Sequence, residues 1–199
     1  NLYRELGDRT GTAYLLDNLG GDLQYEGEYA RAMTLHEESL ALCRELGNTS
    51  GMRSALLNLG VAAQSLGDYE RARMLLEESL ALGQELKDRG SVALALVHLG
   101  IVAQHQGALI QAATLCRQSL VLFWEVGDKR RVAKCFEALA RVAATQGQTD
   151  QAAQLFGAAE ALRGAIGAPL PRHDRSDHNR YVRSVRARLG KRASAAAWV

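Results

Sequence analysis

Residues 1–40, 41–80, 81–120 and 121–160 are versions of one another, and this self-similarity constrains the fold of the 199-residue chain more than any other feature. Leu19-Gly20, Leu59-Gly60 and Leu99-Gly100 recur at a spacing of 40, and Leu139-Ala140 continues the series. Glycines 27, 67, 107 and 147, alanines 32, 72, 112 and 152, and leucines 35, 75, 115 and 155 keep the same step. Successive 40-residue blocks share 20, 15 and 14 identities, which chance does not produce, so the chain is a tandem array of one unit.

Each unit reads as two helices. Over residues 50–66, Ala55, Leu56, Leu59, Ala62, Ala63 and Leu66 fall at helical spacing. Gly67-Asp68 breaks the run, with Asp68 as N-cap. A second helix runs from about Tyr69 to Leu86 with Ala72, Leu75, Leu76, Ser79 and Leu80 inward, and Arg71, Glu77 and Glu78 on the other side. Gly47 and Gly127 stand where a helix end needs a left-handed residue, and Asn48, Asp88 and Asp128 follow as caps for the next helix. Residues 1–168 contain no proline and aromatics make up only 6%, which suits helices. No alternating strand pattern occurs, so the expected fold class is all-α.

These residues resemble the tetratricopeptide repeats (TPR). The family places Leu-Gly in the first helix (helix A), Gly at the turn, an aromatic two residues later, then Ala and a further small residue in the second (helix B). Leu59-Gly60, Gly67, Tyr69, Ala72 and Ser79 match, as do Leu19-Gly20, Gly27, Tyr29, Ala32 and Ser39. The usual period is about 34 residues; the longer period is similar to kinesin light chains, spindle-orientation adaptors and the C-terminal parts of bacterial transcriptional regulators. The resemblance implies a right-handed α-solenoid of helix-turn-helix units. Repeat 3 departs at Gly107-Ala108-Leu109-Ile110, losing the polar cap and the Tyr. Repeat 4 has Ala140 for Gly and Thr149 for Tyr.

The array is expected over residues 1–166. Residues 1–6 match the end of a helix B, so the array is expected to have begun earlier in a longer polypeptide, as the absence of an initiator Met at Asn1 also implies. Residues 167–199 are expected to form a proline-containing linker and a basic capping helix over Asp177 to Leu189, with Tyr181, Val182, Val185 and Leu189 on one face. The stretch from Ala152 to Ala168 and this helix resemble the C-terminal ends of LuxR-type and ATPase-linked bacterial regulators.

Charge is balanced overall, at net +2, but residues 167–199 carry eight basic and two acidic groups. Arg175, Arg183, Arg186, Lys191 and Arg192, assisted by Arg172 and Arg180, present an arginine-rich face, whose usual meaning is a solvated one; nucleic-acid contact is not expected. The three widely spaced cysteines (Cys43, Cys116, Cys135) read as buried structural thiols, and point to a reducing, cytoplasmic setting. Gly90 to Cys116 carries no charged residue, but His98, Gln104, His105, Gln106 and Gln111 interrupt it, so membrane insertion is not expected. No phosphate loop, dinucleotide fingerprint or nucleophile elbow occurs, and His36-Glu37 lacks the second histidine of a zinc motif. His173 and His178 near Asp174 and Asp177 make a poor metal site among interleaved arginines. No enzyme activity, cofactor or metal is expected.

The resemblance also implies a site. In the family, helix A lines an inner wall through its second, fifth, sixth, ninth, twelfth and thirteenth positions. Repeat 1 places Tyr14, Asp17, Asn18, Gly21, Gln24 and Tyr25 there, and repeat 2 Ser54, Leu57, Asn58, Val61, Gln64 and Ser65. Repeat 3 places Leu94, Val97, His98, Ile101, Gln104 and His105, and repeat 4 Lys134, Glu137, Ala138, Arg141, Ala144 and Thr145. Leu57, Val61, Leu94, Val97 and Ile101 form an apolar middle between polar ends. If solvent-facing, covering them contributes about 1 kcal/mol each before association costs. Asn18 and Asn58 stand where the family hydrogen-bonds a ligand backbone. Lys134 and Arg141 are too few for the two-carboxylate clamp of chaperone-binding members.

The expectation is a groove for an extended peptide or amphipathic helix, tested by Val97→Asp with Ile101→Asp. The competing expectation is that neighbouring repeats, a missing segment or a second copy of the chain bury the same residues. By resemblance, the whole is a protein- or peptide-binding part of a bacterial signalling or transcriptional regulator. Alternatives are a free-standing scaffold and a small-molecule inducer site in the groove.

Overall fold

The computed structural model describes residues 8–170 and 175–197, with side chains through residue 189. The expected helix end at residues 1–6 and the His173 and Asp174 pair lie outside the described residues. Among these, nine α-helices and no strand occur: α1 (Arg9–Glu26), α2 (Tyr29–Glu45), α3 (Thr49–Leu66), α4 (Tyr69–Glu85), α5 (Arg89–His105), α6 (Leu109–Glu125), α7 (Lys129–Thr145), α8 (Thr149–Ala165) and α9 (Arg175–Ala197). The fold is an all-α solenoid of four helical hairpins, α1/α2 to α7/α8, followed by a C-terminal helix.

Backbone chemistry sets the boundaries. Inside each hairpin the turn residue is a left-handed glycine, as at Gly67 (φ 83°). Its N–H and that of Asp68 bond back to Gln64 and Ala63 carbonyls, closing the last turn of α3. Asp8, Asn48, Asp68, Asp88 and Asp128 each cap the following helix by accepting from the N–H three residues on. Ala108 caps nothing through its side chain, as the departure in repeat 3 implies. A Cβ on Gly60 would stand 2.6 Å from Leu76 Cγ, so the Leu-Gly signature marks where helices A and B cross too closely for a side chain.

The chain divides into two compact units, Asn1–Val102 and Ala103–Val199, with the division inside α5. In the first, α3 packs on α2 and α4, and α1 on α3. Met33, Leu40, Ala55, Leu56, Leu59 and Ala62 form its core, with Met52, Leu75 and Leu82 against them. In the second, α8 packs on α7 and α9. Its core is Ala140, Ala143, Ala144, Ala152, Ala153, Phe156 and Val185, and Tyr181, Val182 and Leu189 pack on it. All four residues expected to face inward from the capping helix therefore do so. Arg175, Arg180, Arg183, Arg186 and Arg188 are exposed.

Candidate partner-binding surfaces

The inner-wall positions separate into seams and open surface. In repeat 1, Asp17 on α1 is a hub: Ser54 Oγ donates to its Oδ2 at 2.8 Å, Asn58 Nδ2 donates to both oxygens, and His36 Nδ1 lies 2.8 Å from Oδ1. Burial by itself raises the Asp17 pKa, but the hydrogen bonds of His36, Ser54 and Asn58 and the charge interaction with His36 outweigh it. The carboxyl is held below its ordinary value. The twelfth position repeats the device. Gln24 Nε2 donates to the Asn58 carbonyl at 2.7 Å, Gln64 Oε1 lies 3.0 Å from His98 Nδ1, and Gln104 Nε2 donates to Tyr181 Oη at 3.2 Å. Asp17 and Gln24 thus tie α1 to α3, Gln64 ties α3 to α5, and Gln104 ties the end of α5 to α9.

The apolar middle is not a solvent-facing wall. Val97 is 0% exposed, and Leu57, Ile101 and His98 are also buried. Only Val61 and Leu94 of the five aliphatics are part-exposed. The fifth position is a seam, where Asp17 already shows a side chain directed at the next helix A, so its apolar occupants are core. Val97→Asp with Ile101→Asp would put two carboxylates into that core and report on folding, not on binding. Asn58, expected to read a ligand backbone, has its amide donated to Asp17.

Open surface remains on α1 and α3. Tyr14 and Tyr25 are 72% and 63% exposed, and Asn18 between them is exposed. Beside Tyr14 a depression of about 580 Å³ is lined by Asn18, Asn48, Ser50, Ser54 and Asp17, all polar, with Gly11 and Ala13 beneath.

In the second unit the inner-wall residues meet α9. Glu137 is 4% exposed and takes a bidentate contact from Arg163 of α8, Nε to Oε1 at 2.6 Å and Nη2 to Oε2 at 3.1 Å. Arg188 Nη1 donates to the Ala144 carbonyl at 3.4 Å. Burial, then the charge of Arg141, lowers the His105 pKa; Asp177 opposes this and Arg180 adds to it. Lys134 and Arg141 are part-exposed. Arg163 is not among the inner-wall positions that the sequence places. The signal was available: the residues one, two and three periods earlier than Arg163 are Phe123, Gly83 and Cys43, all buried.

The cysteines are buried and free. Burial pushes the Cys116 thiol up to about 12 and the Cys135 thiol up to about 11. No group of three or more His, Cys, Asp or Glu able to hold a metal occurs among the described residues. No helix among them is long and apolar enough to cross a membrane.

A family model described as "Tetratricopeptide repeat" matches residues 2–88 and 91–165. No curated protein matches the chain. Among solved structures, BtubC (BKLC) from P. vanneervenii superposes with a TM-score of 0.71 at 18% identity, covering 98% of this chain and 78% of that one. A Podosopora anserina protein described as a putative kinesin light chain with nearly identical TPR-like repeats gives 0.61 at 19% identity, covering 87% and 93%. A point variant of that protein gives 0.63 at 17% identity, covering 90% and 95%. At these identities the likeness speaks to the fold alone.

Proposed function

The chain belongs to the tetratricopeptide repeat family, and we propose that within it this array is a non-enzymatic module that binds a protein or peptide segment along the inner wall of repeats 1 and 2. The observation that carries this reading is the open stripe of Tyr14, Asn18 and Tyr25 beside a polar depression of about 580 Å³. Two large amphipathic rings presented to solvent are what an interface uses as anchors, since they bury much area and lose little rotamer freedom. Asn18 and Ser50 next to them supply donors and acceptors for a ligand backbone, the Ser54 hydroxyl being committed to Asp17. The TPR repeat supports a protein-interaction scaffold in general, and the stripe supports this stretch of it as the binding surface.

The test is selection of a random peptide library on the intact chain, repeated with Tyr14→Ala and Tyr25→Ala together. Peptides enriched on the unaltered protein and lost on the variant, at equal helix content by circular dichroism, are the expected outcome. Equal enrichment on both removes the stripe from the site.

The finer reading is that the module belongs to a bacterial signalling or transcriptional regulator. It is supported by the resemblance of Ala152 to Ala168 and the following basic helix to the ends of LuxR-type and ATPase-linked regulators. An ATPase or helix-turn-helix segment elsewhere in the parent polypeptide is the expected finding; a parent holding only repeats favours the free-standing scaffold.

A further inference from the structure

Between α7, α8, residues 167–170 and α9 lies a cleft of about 680 Å³, the size of a small-molecule pocket. Its lining combines charge with a compact apolar floor. Arg163, Arg175, His178 and Arg186 contribute to the walls, and Ala168, Pro169, Leu170 and Val182 to the apolar part. The acidic members are Glu137, already matched to Arg163, and Glu160. The tyrosine stripe of α1 belongs to the other unit, so nothing here depends on the peptide reading.

The preceding repeats show what this cleft replaces. Glu137 stands at the register of Asp17, Leu57 and Val97, and Arg163 at that of Cys43, Gly83 and Phe123. Relative to repeats 2 and 3, repeat 4 has an ion pair with a buried carboxylate in place of an apolar seam, and unlike Asp17 of repeat 1 this carboxylate is paired with an arginine. Such a pair contributes no more stability than well-packed hydrophobes of similar volume, so stability does not account for the exchange. The register of Arg44, Gln84 and Trp124 is occupied by Gly164, where an added Cβ meets nothing within 4 Å. Arg44, Gln84 and Trp124 are exposed in their own repeats, so the glycine leaves the rim of the cleft open to solvent.

We propose that this cleft binds a small organic oxyanion, a carboxylate or phosphate monoester on a compact apolar body, with Arg163 as its principal partner. Glu137 holds two of the five guanidinium N–H donors and thereby fixes the plane of the group, leaving the outer donors in the geometry that bidentate oxyanion recognition needs. Arg175 and Arg186 add positive charge from α9. His178 is oriented edge-on to Phe156, with ring centroids 5.2 Å apart, and its Nδ1 is buried with no hydrogen-bond partner among the described residues. Ligand bound there touches both α8 and α9, and so fastens the C-terminal helix to repeat 4.

Titration calorimetry on the full chain tests this with four probes: phenylacetate, phenyl phosphate, inorganic phosphate and benzyl alcohol. Saturable binding of phenylacetate or phenyl phosphate is expected, at least about tenfold tighter than either the bare anion or the neutral alcohol. Which of the two binds tighter assigns the head group. Amide shifts at Gly164, Gly167 and Ala168 should accompany it. Glu137→Val with Arg163→Phe restores the repeat-3 pair, keeps the helix content and abolishes binding. Arg175→Ala with Arg186→Ala, on an exposed face, weakens it about tenfold. Absence of saturation by both organic anions, equal binding of inorganic phosphate, or full binding by the Glu137→Val, Arg163→Phe double variant would each overturn the proposal.

Discussion

Asp17 shows how a residue that reads as a ligand contact becomes a structural hub. Its carboxylate accepts from Ser54 and Asn58 and pairs with His36, which is fully buried under Gly20. A folded-state pKa below the ordinary carboxylate value of about 3.9 means the native state binds the proton less well than the unfolded chain. The stabilisation is fully present above that ordinary value and is lost as pH falls through the lowered one. Asp17→Asn should cost about 1–3 kcal/mol at pH 7 and flatten this acid-side loss. Urea unfolding of both proteins from pH 7 to pH 3 measures it; parallel curves would remove Asp17 as the titrating hub. The local partners of Asp17 were not legible because Ser54, Asn58 and His36 lie 37, 41 and 19 residues away. Glu137 is legible as an inner-wall residue but its partner is not: Arg163 stands at a register that is apolar one and two periods earlier, yet looks ordinary on its own helix. Gly20 makes a sharper case. Its added Cβ would lie 2.5 Å from His36 Cε1, so Gly20→Ala should destabilise by about 1–3 kcal/mol, read as a drop in the urea midpoint. An unchanged midpoint would mean that His36 leaves its pocket freely.

At the scale of elements, the sequence was most informative where backbone chemistry decides. The hairpin turns, the Asp and Asn caps and the boundaries of α3 and α4 follow from residues that accept few other conformations. One turn breaks the series. Gly47 and Gly127 are left-handed between hairpins, as is Gly167 after the last one, and at the equivalent point Lys87 adopts φ 56°. A side chain there costs about 1 kcal/mol or somewhat more relative to glycine. Lys87→Gly should therefore raise the stability of the chain by about 1 kcal/mol, although glycine is a poor residue in helix interiors. A thermal melt checks the sign, and a lowered midpoint would show that Lys87 is held by contacts stronger than its backbone strain. What the helical period left undecided was which inner-wall positions stay open. Position five carries Asp17, Leu57, Val97 and Glu137, and burial on that seam depends on the neighbouring hairpin, not on the helix that bears the residue.

For the whole molecule, repetition makes stability a sum of hairpins and their nearest-neighbour contacts. The three buried thiols report on this without added probes, because alkylation needs a thiolate and burial suppresses it. Burial raises the Cys43 pKa, and pushes Cys116 and Cys135 up to about 12 and about 11. Labelling thus waits for local opening, and its rate reads the opening free energy. Cys43 lies in the first unit, whereas Cys116 and Cys135 sit together in the second, where Ser119 Oγ contacts Cys135 Sγ at 3.4 Å. Two labelling classes are expected in mild urea, Cys116 with Cys135 and Cys43 apart. Val185→Ala opens a void beneath α9 worth about 2 kcal/mol, and should speed Cys135 labelling roughly 30-fold while leaving Cys43 unchanged. N-ethylmaleimide pulses read by mass spectrometry separate the three sites. One common rate for all three, moved together by Val185→Ala, would mean that the array opens only as a whole.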